Sequence, residues 1–376
     1  MVIKNLRIVT TDGVIDNGYL EFSDGVITKV GSNYEGLEAI DGNNQIAMPG
    51  FIDIHTHGSC GIDFMDACKD DYKKIADAFY SEGITSFLAT TLTSDFDSMR
   101  RVCEIVALAS KNVKSLAGIH LEGPYINKIY KGAQNEEFIR KPSVLELAEL
   151  VSASNNNIRL ISLAPEVEGS NEFIAYATGQ NITISAGHTN ATFKEVEEAR
   201  NYGLTNITHT HNAMSKYDHK NPGVVNAAIY FDDLYTECIC DTIHVHPNTL
   251  KTFYKVVGPD RFMIITDALL AKHSEVNEFK LFNLDCQVKN GAAYLLAGNL
   301  AGSLLTMDQG LRNVRNVCGA SLLELAKISS YNQAKSLRLN DRGSLEVGKL
   351  ADIVILDDEL NVLEVYKLGE KVYSKE

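Results

Sequence analysis

The chain has 376 residues, of which 45% are hydrophobic and 22% charged, a globular composition that excludes disorder, collagen and coiled coil as the main architecture. Its formal net charge is −14, which argues against a nucleic-acid partner, because such a partner calls for a basic face that displaces counterions. A small anionic substrate stays open, since a local pocket can be positive on an acidic protein.

The first 50 residues read as β structure. Lys4–Val9 alternates in character, and Gly18–Phe22 and Val26–Val30 flank Ser23-Asp24-Gly25, a strong hairpin signal. The opening segment lacks the apolar core of a signal peptide. The seven cysteines include no C-x-x-C pair and read as reduced thiols, so a cytoplasmic protein is expected. No apolar run approaches the ~18 residues of a membrane span, and no membrane partner is expected.

From residue 51 the rhythm changes. Eight short apolar runs, Phe51–His55, Ile84–Thr91, Ser115–His120, Ile158–Leu163, Ile182–Ala186, Ile207–His211, Thr236–Cys240 and Phe262–Thr266, alternate with amphipathic stretches. Those stretches, Asp70–Ser81, Asp95–Ser110, Ser143–Ala153, Phe193–Tyr202 and Pro247–Val257, predict helices. The alternation implies parallel β-α units, and eight of them suggest an α/β fold of the (β/α)8 TIM-like barrel type. The rival, an open doubly wound sheet, lacks a G-x-G-x-x-G after the first strand. Met307–Val317 and Leu322–Ser336 read as two further helices. Asp352–Leu356, Val362–Tyr366 and Lys371–Tyr373 read as short strands. Neither terminal β segment can bury an apolar face alone, so the two are expected to combine. The expected division is a discontinuous small β-sandwich domain of residues 1–50 plus 345–376, and a barrel of residues 51–344.

Most of the eight runs end in residues able to do chemistry. The first ends Asp53-Ile54-His55-Thr56-His57, the third at His120-Leu121-Glu122, the fifth at Gly187-His188. The sixth carries His209 and His211, the seventh reaches Asp241 and His244, and the eighth ends Thr266-Asp267. The C-terminal strand ends of a parallel barrel surround one mouth, where active sites sit. Side chains at i and i+2 share a strand face, so His55 and His57 point inward together. A glutamate and two histidines from other strands then converge on them. Imidazole and carboxylate donors suit a divalent ion such as zinc, iron, cobalt or manganese. An ion with an open position lowers the pKa of bound water and polarises a carbonyl, so hydrolysis is the expected reaction class. Amide, ester, deamination and phosphoester substrates all stay open. His120, His211, His219, His246 and His273 read as ordinary polar residues.

The segment Met48–Gly58, with its H-x-H, resembles the first-strand signature of the amidohydrolase superfamily, as does the return segment Gly348–Ile355. Within that superfamily, Gly118–Tyr125, Lys131-Gly132-Ala133, Ser185–Thr192, Thr208-His209 with Asn212-Ala213-Met214, Thr266-Asp267-Ala268 and Leu300–Ser303 are similar to the N-acetylglucosamine-6-phosphate deacetylase family. The resemblance implies a barrel with a small β-sandwich built from both termini, usually a homodimer. It implies that Glu122, His188 and His209 hold a metal, that His55 and His57 hold a second one in some members, and that one or two ions bind, zinc first. It makes Asp267 the acid/base. It assigns Ala133, Asn212, Ala213, His244 and the loop Leu300, Ala301, Gly302 to the substrate, a phosphorylated amino sugar.

Some positions depart from the family pattern. Gln134 stands where histidine is usual, and Lys220 where an arginine usually meets the phosphate, often across the dimer. Thr242 replaces a glycine, and Leu269–Asn299 matches poorly. These differences keep a second substrate open, N-acetylgalactosamine-6-phosphate. A different amidohydrolase reaction is the third reading. Many such enzymes carry a bridging lysine at the end of the fourth strand, whereas this chain has Leu163-Ala164-Pro165-Glu166.

Overall fold

The computed structural model describes every residue except Asn283 and Glu376. Eight strands run parallel in one sheet in chain order: Phe51–Thr56, Ile84–Thr91, Leu116–Glu122, Ile158–Leu163, Thr183–Ala186, Leu204–Ile207, Tyr235–Ile239 and Phe262–Ile265. Their residues are buried on both faces, which is why they read as continuous apolar runs. The sheet closes between its last and first strands. There the Asp267 N–H donates to the His55 carbonyl and the His57 N–H to the Ala268 carbonyl, each at 2.8 Å. Earlier along the first strand the Asp53 carboxylate takes over, accepting the Thr266 hydroxyl at 2.6 Å and the Thr266 N–H at 3.3 Å.

Several helices between the strands start where a side chain caps them. Asp95 accepts the Ser98 N–H ahead of Phe96–Ala109, and Thr192 with Glu195 forms a capping box ahead of Phe193–Tyr202. Helices at Ser170–Gly179 and Val224–Tyr230 complete the ring and carried no clear periodicity. The segment Leu322–Ser336 is helical but contains a π turn at Lys327–Tyr331. In that turn Ser329 Oγ bonds back to the Leu325 carbonyl and Ser330 Oγ reaches the Gly50 carbonyl.

Both termini contribute to one seven-stranded sheet, in which Val2–Val9 pairs with Val14–Ser23 and Ile40–Pro49, and Ile40–Pro49 with Ile353–Leu356. Phe22 and Tyr366, from opposite halves of that sheet, meet edge to face at 5.8 Å. The sheet therefore folds over its own core of Leu6, Ile8, Leu20, Phe22, Ile353 and Tyr366 as a small sandwich. Among the described residues no helix is long and apolar enough to cross a membrane.

Two expectations are corrected. The sixth strand ends at Ile207, and Thr208–His211 turns out of the sheet instead of extending it. The Leu300–Gly302 segment is not a loop but part of the strand Leu300–Ser303. It is the last of four antiparallel strands, after Glu278–Leu281, Leu284–Lys289 and Ala292–Leu295. This insert returns beside the eighth strand, where the Ser303 N–H donates to the Asp267 carbonyl at 2.9 Å.

Candidate active site

The strand ends bring six donors to one mouth. His55, His57 and Asp267 form one group whose donor atoms lie within 4.8 Å of one another, and Glu122, His188 and His209 form a second. The Glu122 carboxylate stands between them. Its Oε1 lies 3.1 Å from both His188 Nε2 and His209 Nε2 and 3.3 Å from His55 Nε2, and its Oε2 lies 3.3 Å from His57 Nε2. Asp267 Oδ1 is 3.2 Å from His57 Nε2 and 3.5 Å from His55 Nε2. All six residues are buried.

Local backbone aims these side chains. His188, His209 and Asp267 all have left-handed φ angles, of 48°, 29° and 48°, so the chain turns sharply at each strand end and points the side chain inward. The His188 turn is pinned by Glu166, which accepts Thr189 Oγ1 at 2.5 Å and the Asn190 N–H at 2.6 Å. On its outer side His188 Nδ1 faces the Tyr130 carbonyl at 2.9 Å. Gly132 has a φ of 56°, and a Cβ there would stand 3.3 Å from His188 Cε1, so a side chain is doubly disfavoured. Gly302 lets the insert approach Asp267, since a Cβ would lie 3.1 Å from the Asp267 carbonyl oxygen and 2.8 Å from Leu269.

Charge in the mouth is mutually reinforcing. Burial alone pushes the Glu122 carboxyl up, but the His55 and His188 imidazoles outweigh it and hold the group well below the carboxylate range. Burial likewise disfavours a charged His57, yet hydrogen bonds to Asp267 and Glu122 carry its pKa up to about 9. Against its own burial, Asp267 is held below its ordinary value by His55 and His57. The carboxylates thus attract positive charge, and His55 Nε2 is buried there without a hydrogen-bond partner. Buried imidazole and carboxylate donors, one of them unpartnered, fit a divalent cation.

The mouth opens into a cavity of about 610 Å³. His57, Glu122, His188, His209 and Asp267 form its floor, and Ala133, Gln134, Asn212, Ala213, His244, Leu300, Ala301 and Gly302 stand in its walls. His55 lies behind that floor, fully buried. Gln134 is tied to Glu122: its Nε2 donates to Glu122 Oε2 at 2.6 Å, and its Oε1 accepts the Thr93 N–H at 2.7 Å. His244 Nδ1 pairs with Asp241 Oδ2 at 2.6 Å. Lys220 is the exception. It is exposed, and it does not line the cavity of its own chain.

Three features escaped sequence reasoning. Lys128 and Tyr130 line the cavity from a short 3-10 turn with no motif of its own. Leu284, Leu295 and Asn299 bring the insert over the mouth. Glu237, on the seventh strand, is fully buried, with Oε2 3.2 Å from His55 Nδ1. Only its place in an otherwise apolar run could have flagged it.

Residues 46–372 match the Amidohydrolase family. The chain is 34% identical to the N-acetylglucosamine-6-phosphate deacetylase of Lysinibacillus sphaericus, over 98% of this chain and 97% of that one. It is 30% identical to the N-acetylgalactosamine-6-phosphate deacetylase of Escherichia coli O157:H7, over 98% of each. The crystal structure of N-acetylglucosamine-6-phosphate deacetylase from Thermotoga maritima superposes with a TM-score of 0.92 at 36% identity, covering all of both chains. The chain belongs to the amidohydrolase family and, within it, to the N-acetylglucosamine-6-phosphate deacetylase family.

Proposed function

We propose that this protein hydrolyses the acetamide of N-acetylglucosamine-6-phosphate, giving glucosamine-6-phosphate and acetate. The observation that carries the reading is the convergence of both donor groups on Glu122 at the floor of one cavity, in a chain that spans its deacetylase relatives end to end. A divalent ion, zinc first and iron, cobalt or manganese next, supplies Lewis-acid polarisation of the carbonyl and acidifies water when it is bound. Glu122, His188 and His209 would hold it, and His55 and His57 would hold a second. Gln134 fixes Glu122 Oε2, which leaves Oε1 turned toward His188 and His209.

Asp267 starts as a carboxylate and sits on the cavity floor. It accepts the proton of the attacking water and delivers it to the departing amine nitrogen. The new C–O bond forms as the carbonyl π bond opens, and the C–N bond breaks when that π bond re-forms, so water is divided between acetate and amine. Ala133, Asn212, Ala213, His244 and Leu300–Gly302 surround the sugar. Lys220, which is exposed and does not line its own cavity, meets the phosphate of a neighbouring subunit in a homodimer. We expect the enzyme to work in the cytoplasm.

A second substrate, N-acetylgalactosamine-6-phosphate, is favoured by the departures from the family pattern at Gln134 in the cavity wall and at Lys220 and Thr242. One experiment separates the readings: acetate release from N-acetylglucosamine, N-acetylgalactosamine and N-acetylmannosamine, each with and without the 6-phosphate. The proposal expects the fastest release from N-acetylglucosamine-6-phosphate. Faster release from the galacto isomer selects the second reading. Metal-loaded protein that releases acetate from none of them sinks both.

A further inference from the structure

Glu237 is a buried carboxylate to which the reaction as described gives no work. No lysine or arginine pairs with it among the described residues, and its one ionic partner is His55. Its Oε1 has no hydrogen-bond partner among the described residues. A buried carboxylate without compensation is costly. Positive charge can reach it only through His55 or from a cation bound on the far side of that ring.

The outer nitrogens of the four histidines differ. His188 Nδ1 meets a neutral carbonyl at 2.9 Å. His57 Nδ1 and His209 Nδ1 have no partner. Among the described residues, only His55 of these four has a carboxylate hydrogen-bonded to its outer nitrogen. Such a carboxylate selects the tautomer with hydrogen on Nδ1, leaves Nε2 free as a donor, and makes the imidazole a better ligand. His55 Nε2 is the unpartnered atom facing Glu122 and Asp267. The ring cannot swing away, because His120 packs edge-on against it at 4.6 Å and is itself held by Ser162 at 2.7 Å. Glu237 Oε2 also accepts the His209 backbone N–H at 3.3 Å, so one oxygen touches a member of each donor group.

From this geometry we infer that Glu237 is a positioning residue that fixes His55 in its metal-binding tautomer and thereby lets His55 and His57 hold a second cation beside Asp267. The inference rests on the reading of the mouth as a metal centre, and its test reads metal rather than turnover. Metal-free protein is titrated with zinc alone by calorimetry, and the zinc retained after gel filtration is counted by elemental analysis. Wild type should retain two zinc ions per chain and Glu237→Leu one. Glu237→Gln keeps a hydrogen-bond acceptor but no charge, and should bind the second ion about 10- to 100-fold more weakly.

Histidine-labelled nitrogen NMR of the zinc-loaded proteins supplies a signature that a merely structural role would not move. The His55 Nδ1–H resonance should be present in wild type, restored in part by Glu237→Gln and absent in Glu237→Leu, with the His188 resonance unchanged. Two ions of unchanged affinity in Glu237→Gln would overturn the proposal, as would a wild type that takes only one ion. Should Glu237→Leu fail to fold, the glutamine variant alone decides. Loss of the second ion in a protein that releases no acetate would refute the deacetylase reading and leave this one standing.

Discussion

At the scale of single residues, Glu122 and Asp267 carry separable burdens. Glu122 touches both donor groups, so Glu122→Ala should lose metal and activity together, as elemental analysis and an acetate assay on one preparation would show. Asp267 is proposed to move a proton, and general acid–base groups are worth ~10²–10⁴-fold. Asp267→Asn should therefore lower kcat by about that factor while keeping its metal, and loss of the ion instead would reassign it as a ligand. The residues at the mouth were legible because each lies at or just past the end of a barrel strand, and the barrel strands all run the same way. Once the barrel is recognised, His55, Glu122, His188, His209 and Asp267 share an address. Glu237 was not legible, because an acidic residue inside Thr236–Cys240 carries no spacing that marks it as buried behind a histidine. Nor could sequence show that Gln134 reaches Glu122, a contact set by how the chain after the third strand folds back.

At the scale of elements, the loop after the eighth strand is anchored by a charge cluster around the buried Glu82 and Lys272. Lys272 Nζ lies 2.8 Å from Glu82 Oε1, His273 Nε2 lies 3.1 Å from the same oxygen, and the Met307 N–H donates to Glu82 Oε2 at 2.6 Å. Although burial pushes the Glu82 carboxyl up, Lys272 and His273 bring it below its ordinary value of 4.5. A depressed folded-state pKa gives stability that is present above 4.5 and lost as pH falls through the folded-state value. Urea unfolding of wild type and Glu82→Gln should therefore differ at neutral pH and converge in acid, and a gap that is flat with pH would refute this. Removing the cation leaves a buried carboxylate short of charge, so Lys272→Met should cost about 3 kcal/mol. Strand and helix positions in the barrel were readable from apolar runs and capping residues. The sixth strand was expected too late in the chain, at Ile207–His211 instead of Leu204–Ile207, because Ile207–His211 alternates like a strand. In the structure the Glu237 side chain takes the His209 N–H and its main-chain carbonyl takes the Thr210 N–H, which bends the chain away. The insert strands stayed hidden because strands such as Glu278–Leu281 and Leu284–Lys289 are mostly exposed or half-buried and carry little apolar signal.

For the whole molecule, the cavity of one chain holds Lys128 and Lys131 but not Lys220, which suits a phosphate site completed by a neighbour. Lys220→Ala should then raise KM strongly for the phosphorylated sugar and hardly change it for the unphosphorylated one. Steady-state kinetics on both sugars checks this, and equal losses or none would place the phosphate elsewhere. The sandwich was foreseeable from two β-rich termini, but not the strand Ile40–Pro49 that joins them, whose first half is largely exposed. The closing seam of the barrel also sets a timetable for maturation. Asp53 and Thr266, which close it, lie 213 residues apart in sequence, and bringing such distant segments together is among the slower events of folding. Glu122, His188 and His209 can assemble while the ribosome is still adding the eighth strand, whereas His55 and His57 must wait for Asp267 to emerge. In such a chain one donor group has all its residues in hand before the other, and the second is complete only when the ring is shut.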